Sequence, residues 1–185
     1  MKSQKLSFSY VGWVALAVLF TWLIHEFTHW FTAYALGYES RMTLNTVSLV
    51  KGSYTSEFHN HLVSATGPII TIIQAILVFV LMKKGRLDFR AWPFLFLPFY
   101  TRVLAGVMNY INLNDEGRIS HALGIGDYTL SILVSAGLGY LMVKTAQREK
   151  YGSRFHWVTV LLCMFFSSLL ILSDQFFGGI VLLQG

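Results

Sequence analysis

Charge is scarce in this chain: Asp, Glu, Lys and Arg make up 12% of its 185 residues, against 55% hydrophobic, and the mean hydropathy is +0.56. So little charge beside so much hydrocarbon excludes an ordinary soluble domain and fits a polytopic membrane protein. Cysteine is nearly absent too. The single Cys163 allows no intramolecular disulfide and stands in an apolar run, so a buried packing role is expected of it. No internal repeat or low-complexity segment interrupts the pattern. Nucleic acid is excluded as a partner despite the net charge of +5, because the basic residues fall in short clusters between apolar spans, as cytoplasmic membrane loops do.

What is present in abundance is long apolar runs. A spanning helix needs roughly 20 apolar residues, and five runs qualify: about Val11–Leu36, Leu62–Met82, Trp92–Leu113, Tyr128–Thr145, and one from Phe155 to Leu172 or beyond. The expected fold class is an all-α polytopic membrane protein of about five transmembrane helices, with a short membrane-associated β-hairpin after the first. The whole of 1–185 reads as one membrane domain, with a core at 11–119 and additional helices at 120–185. Lys2 and Lys5 ahead of an apolar run, with Ala33-Tyr34-Ala35 in small-x-small form, resemble a signal peptide. The run is too long for one and contains histidines, so an uncleaved transmembrane helix is expected.

Ten of the 14 Lys and Arg residues fall in three places: Lys2 and Lys5; Lys83, Lys84, Arg86 and Arg90; Lys144, Arg148, Lys150 and Arg154. With five spans these share one side, which predicts a cytoplasmic N-terminus and an extracytoplasmic C-terminus in a multi-pass protein of the cell inner or plasma membrane. Between the first two spans, Ser40 to Thr55 alternates loosely and contains Lys51-Gly52, which suggests a hairpin turning there. Such a hairpin offers an unpaired edge, near Met42 to Val50, that can take an extended peptide by strand addition.

The first span carries the chemistry. Its stretch TWLIHEFTHW puts His25, Glu26 and His29 in mid-span, where each ionisable group costs roughly 2.5–3.5 kcal/mol. His25 and His29 are four apart, on one helical face about 6 Å apart along the axis, so both imidazoles can bind one metal ion. Glu26 follows about 100° round the helix, where it faces a metal-bound water rather than the metal. This is the H-E-x-x-H pattern of zinc metalloproteases, and a divalent cation there compensates all three groups at once. A third ligand must come from elsewhere; Glu57, His59, His61, Asp115, Glu116, His121, Asp127, His156 and Asp174 are the candidates.

Two further stretches, ATGPII at Ala65–Ile70 and NYINLNDEGRI at Asn109–Ile119, follow HEFTH in order. Over about Leu23 to Ile119 the chain resembles the site-2 protease family of intramembrane zinc metalloproteases. In that family a small-x-Gly-Pro element opens the helix after the zinc helix, matched here by Gly67-Pro68. An Asp-Gly motif after an Asn-containing helix end carries the third ligand. The resemblance maps that ligand onto Asp115, with Glu116 where a glycine is usual and as the alternative carboxylate. The family's proline between Asn and Asp is missing; Asn112 and Asn114, poor helix formers, can fray the helix end in its stead. The resemblance implies Zn2+ as cofactor, Glu26 as the catalytic base, Asn109 in substrate binding or in positioning the metal-site loop, and a transmembrane protein or peptide as substrate. A metal or proton transporter, or a catalytically silent homologue, is the alternative reading of the same residues.

The other polar residues of the spans and loops are expected to be structural. His59 and His61 suit interfacial hydrogen bonds, since residues two apart do not share a helical face. His121 and His156 read as exposed. Arg102, about ten residues into the third span, needs a pairing partner, and Asp174 suits the membrane interface.

Overall fold

The computed structural model describes residues 6–185; Lys2 and Lys5 lie outside the described residues. Helix α1 (Phe8–Ala35) leads into strands β1 (Ser40–Met42) and β2 (Val47–Leu49). Helix α2 (Glu57–Lys83), a 3-10 turn at Phe89–Ala91, and helices α3 (Trp92–Met108), α4 (Asp115–Ala122), α5 (Thr129–Glu149) and α6 (Ser153–Phe176) follow, and β3 (Leu183–Gln184) ends the chain. Five of these helices, α1, α2, α3 with its preceding turn, α5 and α6, are long and apolar enough to cross a membrane. The chain is an all-α polytopic membrane protein with a small antiparallel sheet, ordered β2-β1-β3.

Helix ends follow local chemistry. Helix α2 starts a turn before Leu62 because the Ser56 hydroxyl caps it, accepting from the backbone N–H of His59. Helix α3 stops at Met108 rather than near Leu113, and Asn114 caps α4 by accepting from Gly117 N–H. Asp115, expected in the loop before α4, is instead its first residue.

Small polar side chains are buried between the spans beside an apolar core, and large apolar ones face outward. Thr21, Ser64, Thr71, Gln74, Thr145, Thr159 and Ser167 are buried, whereas Leu16, Leu19, Phe20, Ile69, Ile73, Ile76, Leu77 and Leu161 are exposed. That arrangement suits a lipid surround, where small residues let helices approach and polar side chains bond across them. Tyr10 and Thr159 share a hydroxyl hydrogen bond of 2.6 Å between α1 and α6. Pro98 lacks an N–H and so leaves the Phe94 carbonyl without its helical donor; Gln74 of α2 supplies one at 2.9 Å. Cys163 is fully buried within α6, in the apolar core.

Both basic loops meet at one end of the bundle, where Arg86 and Arg90 line the same cavity as Arg148 and Lys150. The opposite end carries the sheet, and there the sequence expectation needs correction. The hairpin turns at Thr43–Thr46, not at Lys51-Gly52: Thr43 N–H donates to Thr46 O at 2.9 Å, and Thr46 N–H donates to the Thr43 hydroxyl at 3.2 Å. Lys51-Gly52 lies in the exit from β2, with Gly52 in the left-handed region. Asp174, near the end of α6, is buried within the protein; it accepts from the Thr43 hydroxyl at 2.8 Å and from Ile180 N–H at 2.9 Å. One carboxylate thus ties the hairpin turn and the segment after α6 to the end of α6.

The expected free edge is also half filled. Leu183 pairs with Met42 and Gln184 with Arg41, so β1 is the central strand; of the hairpin's own two edges only that of β2 stays open, and β3 presents the sheet's other edge.

Candidate metal centre

Helix α1 carries His25 and His29 one turn apart, about 15 Å and 9 Å short of its C-terminal end. Helix α4 brings Asp115 to them. The Nε2 atoms of His25 and His29 lie 3.1 Å apart, and each is 3.3 Å from Asp115 Oδ2. Four-coordinate zinc with bonds of about 2.0–2.2 Å separates its ligand atoms by roughly 3.3–3.6 Å. The near-equilateral triangle therefore has the edge length of one face of such a tetrahedron, with the fourth vertex left for a non-protein ligand.

The protonation pattern supports a cation there. His29 Nδ1 sits 2.6 Å from the Val63 carbonyl, which can only accept, so Nδ1 carries a proton and Nε2 is the nitrogen turned towards Asp115. Unprotonated, Nε2 would set a lone pair against the carboxylate oxygen, so a positive charge, a proton on Nε2 or a metal ion, belongs between them. Burial works to raise the Asp115 carboxyl, but its hydrogen bonds with His25 and His29 outweigh this and hold it well below the usual carboxylate range. Its other oxygen, Oδ1, accepts from Arg118 Nη2 at 2.6 Å. The His25 Nδ1 atom is buried without a partner.

Gly67 explains how α2 comes so close. A Cβ there would collide with His29 Nε2 and stand 2.5 Å from His25 Cε1. Only a residue without a side chain lets α2 press against both imidazoles, and the following Pro68, without an N–H, relaxes the same turn. Gly67-Pro68 is thus a packing requirement of the site.

Two adjacent acids have opposite fates. Successive residues of α4 point about 100° apart, so Asp115 faces the imidazoles while Glu116 faces α3, where its Oε1 accepts from Arg102 Nη1 at 2.5 Å. Both partners of this ion pair are almost fully buried. Glu116 is therefore not in the triad, and Arg102 has the partner its position demanded.

Asn109, which the resemblance places in substrate binding or in positioning the metal-site loop, is bonded into that loop. Its Oδ1 accepts from Asn114 N–H at 2.9 Å, while its Nδ2 donates to Asp127 O at 3.0 Å and to Ser131 Oγ at 3.4 Å. It braces the loop that delivers Asp115, and Gly117 is required beside it because a Cβ there would strike the Asn109 amide.

Glu26 is buried next to His25, in electrostatic reach of His29, Asp115 and Arg102. No hydrogen bond to its carboxylate is made among the described residues, so both oxygens remain open to a ligand. The other candidates lie away from the triad. His59 Nδ1 is 2.8 Å from the Tyr38 hydroxyl, His61 pairs with Glu57 at 3.8 Å, and the exposed His121 pairs with Asp127 at 2.9 Å. His156 is half-buried against the rings of Trp92 and Phe155 rather than exposed.

Among the described residues, His25, His29 and Asp115 form the one group of three His, Cys, Asp or Glu side chains whose ligand atoms converge. Comparison of the chain with protein-family models, with curated proteins and with solved structures finds no match.

Proposed function

We propose that this protein is an intramembrane zinc metalloprotease of the site-2 protease type, hydrolysing a peptide bond within or near a transmembrane segment. The observation that carries the reading is the triangle of His25, His29 and Asp115 with Glu26 unpaired beside it, the two histidines and Glu26 lying in a helix long enough to span the bilayer. The donor set of two imidazoles and one carboxylate suits Zn2+ with an open position. Zinc held by these three residues would bring the pKa of a bound water down to near neutrality and polarise a carbonyl.

The chain's own residues supply the rest. Glu26 accepts a proton at its carboxylate and returns it to the departing amine, a role its unbonded oxygens allow. Val63 fixes the tautomer and tilt of His29, and Arg118 and Asn109 fix Asp115 and its loop.

The substrate is a transmembrane protein or peptide, which must unwind locally because its helical amides are already hydrogen-bonded. The outer edge of β2 is the place to hold it extended; the β1 edge requires displacement of Leu183–Gln184. With the two basic loops on the cytoplasmic side of a plasma or inner membrane, the N-terminus is cytoplasmic and Asp115 opens towards the other side.

The test is cleavage of a panel of single-span substrates by the full chain in liposomes. Wild type cleaves at least one of them, and Glu26→Gln cleaves it 10²–10⁴-fold more slowly, the usual contribution of a general base. Cleavage by Glu26→Gln at the wild-type rate would refute the assignment.

A further inference from the structure

A cavity of about 330 Å³ lies against the metal centre. His25 and Asp115 line it, as do Arg102 and Glu116, and much of the remaining wall is apolar, including Trp22, Leu104, Ala105 and Met108. Leu104 and Met108 are also partly exposed.

Polar atoms without partners are concentrated here. Trp22 Nε1, His25 Nδ1, Arg102 Nε and Glu116 Oε2 are each buried without a hydrogen bond, and all four belong to residues lining this cavity. Such atoms are costly to leave unmade; His25 Nδ1 is turned to Gly67, and the other three belong to side chains of this wall. Trp22 Nε1 and Arg102 Nε can only donate, so their complement is an acceptor. The complement of the apolar wall is hydrocarbon. A peptide residue offers both, through its carbonyl and its side chain, and the volume is at the small end of ligand pockets, suited to one residue rather than a segment.

We infer that this cavity receives one substrate residue beside the bond at the metal centre: a medium-sized apolar side chain such as Leu, Met or Phe, its backbone carbonyl accepting from Trp22 and Arg102. This rests on the protease reading and names the side-chain class that the site selects. Ala105 sets the room available, since a larger side chain there fills the space.

The test is made on the full chain in detergent, loaded with Co2+ and titrated with amino-acid hydroxamates, with the visible cobalt band as the readout of binding. Cleavage is not needed. Leu hydroxamate binds wild type roughly 50-fold more tightly than Ala hydroxamate, the value for three further buried carbons. Phe hydroxamate is at least as tight as Leu. Ala105→Phe compresses that preference to within about threefold, and Trp22→Phe, which keeps a ring and removes the N–H, weakens Leu hydroxamate about fivefold. A flat wild-type series from Ala to Phe overturns the inference while leaving the metal centre standing, and so does a steep series unchanged in a folded Ala105→Phe. Failure of wild type to bind Co2+ overturns the metal-centre reading itself.

Discussion

Replacing Gly67 by Ala should destroy the metal centre without removing any ligand. The added methyl would overlap His29 Nε2 and lie 2.5 Å from Cε1 and 2.7 Å from Nδ1 of His25. Non-bonded carbon contacts settle near 3.5–4.0 Å, so α2 and the imidazoles must separate by roughly 1 Å. The two imidazoles cannot both yield, because His29 is held by the Val63 carbonyl of the same helix and moves with α2 only by rotating off its ligand direction. Lost second-sphere orientation alone costs about 10–100-fold in metal affinity, and a displaced ligand costs more. At least about 100-fold weaker zinc binding is expected, read by competition with a chromophoric chelator in detergent, with circular dichroism to show that the helices persist. Gly137→Ala, in a helix where the new methyl meets nothing within 4 Å, is the control and binds zinc as wild type does. Zinc affinity of Gly67→Ala within about threefold of wild type would refute the reasoning.

Other expectations follow from the same contacts. Arg102→Leu leaves Glu116 buried without a cation and destabilises the chain by about 3–5 kcal/mol, whereas Arg102→Leu with Glu116→Leu recovers most of that in a denaturant titration. Equal instability of the single and double variants would contradict a buried ion pair. Asn109→Ala unties the Asp115 loop and weakens zinc about 10–100-fold in the chelator assay while leaving the helical content unchanged. Leu182→Pro removes the N–H that bonds to Met42 O, so the segment lifts from β1 and the amide of Ser40 exchanges with solvent at least tenfold faster by hydrogen-exchange mass spectrometry.

The parts of this architecture that are written locally could be read from the sequence. Five apolar runs mark five helices because lipid requires each backbone to satisfy its own hydrogen bonds over a known length. His25, Glu26 and His29 declare themselves by spacing on one helix in a place where charge is expensive. What could not be read depends on partners distant in the chain. The turn of the hairpin at Thr43 is held by Asp174, 131 residues away, so the nearer Lys51-Gly52 pair misleads. Strand β3 is two residues long and exists only through its pairing with β1. Gly178 and Gly179, both in the left-handed region just after α6, were the available sign that the chain folds back. Asp115 and Glu116 are alike in sequence; their division of labour is set by Arg102 on α3 and the imidazoles on α1. Asn109 was noticed for the family it resembles, and its hydrogen bonds make it a brace for the loop.

The central claim is that His25, His29 and Asp115 hold a metal ion while Glu26 does not. Elemental analysis of the purified full chain tests it most directly, beside Glu26→Gln, His25→Ala and Asp115→Ala. The account predicts about one zinc per chain in wild type and in Glu26→Gln, and its loss in the other two. Wild type without bound metal, or Asp115→Ala with as much zinc as wild type, would contradict it.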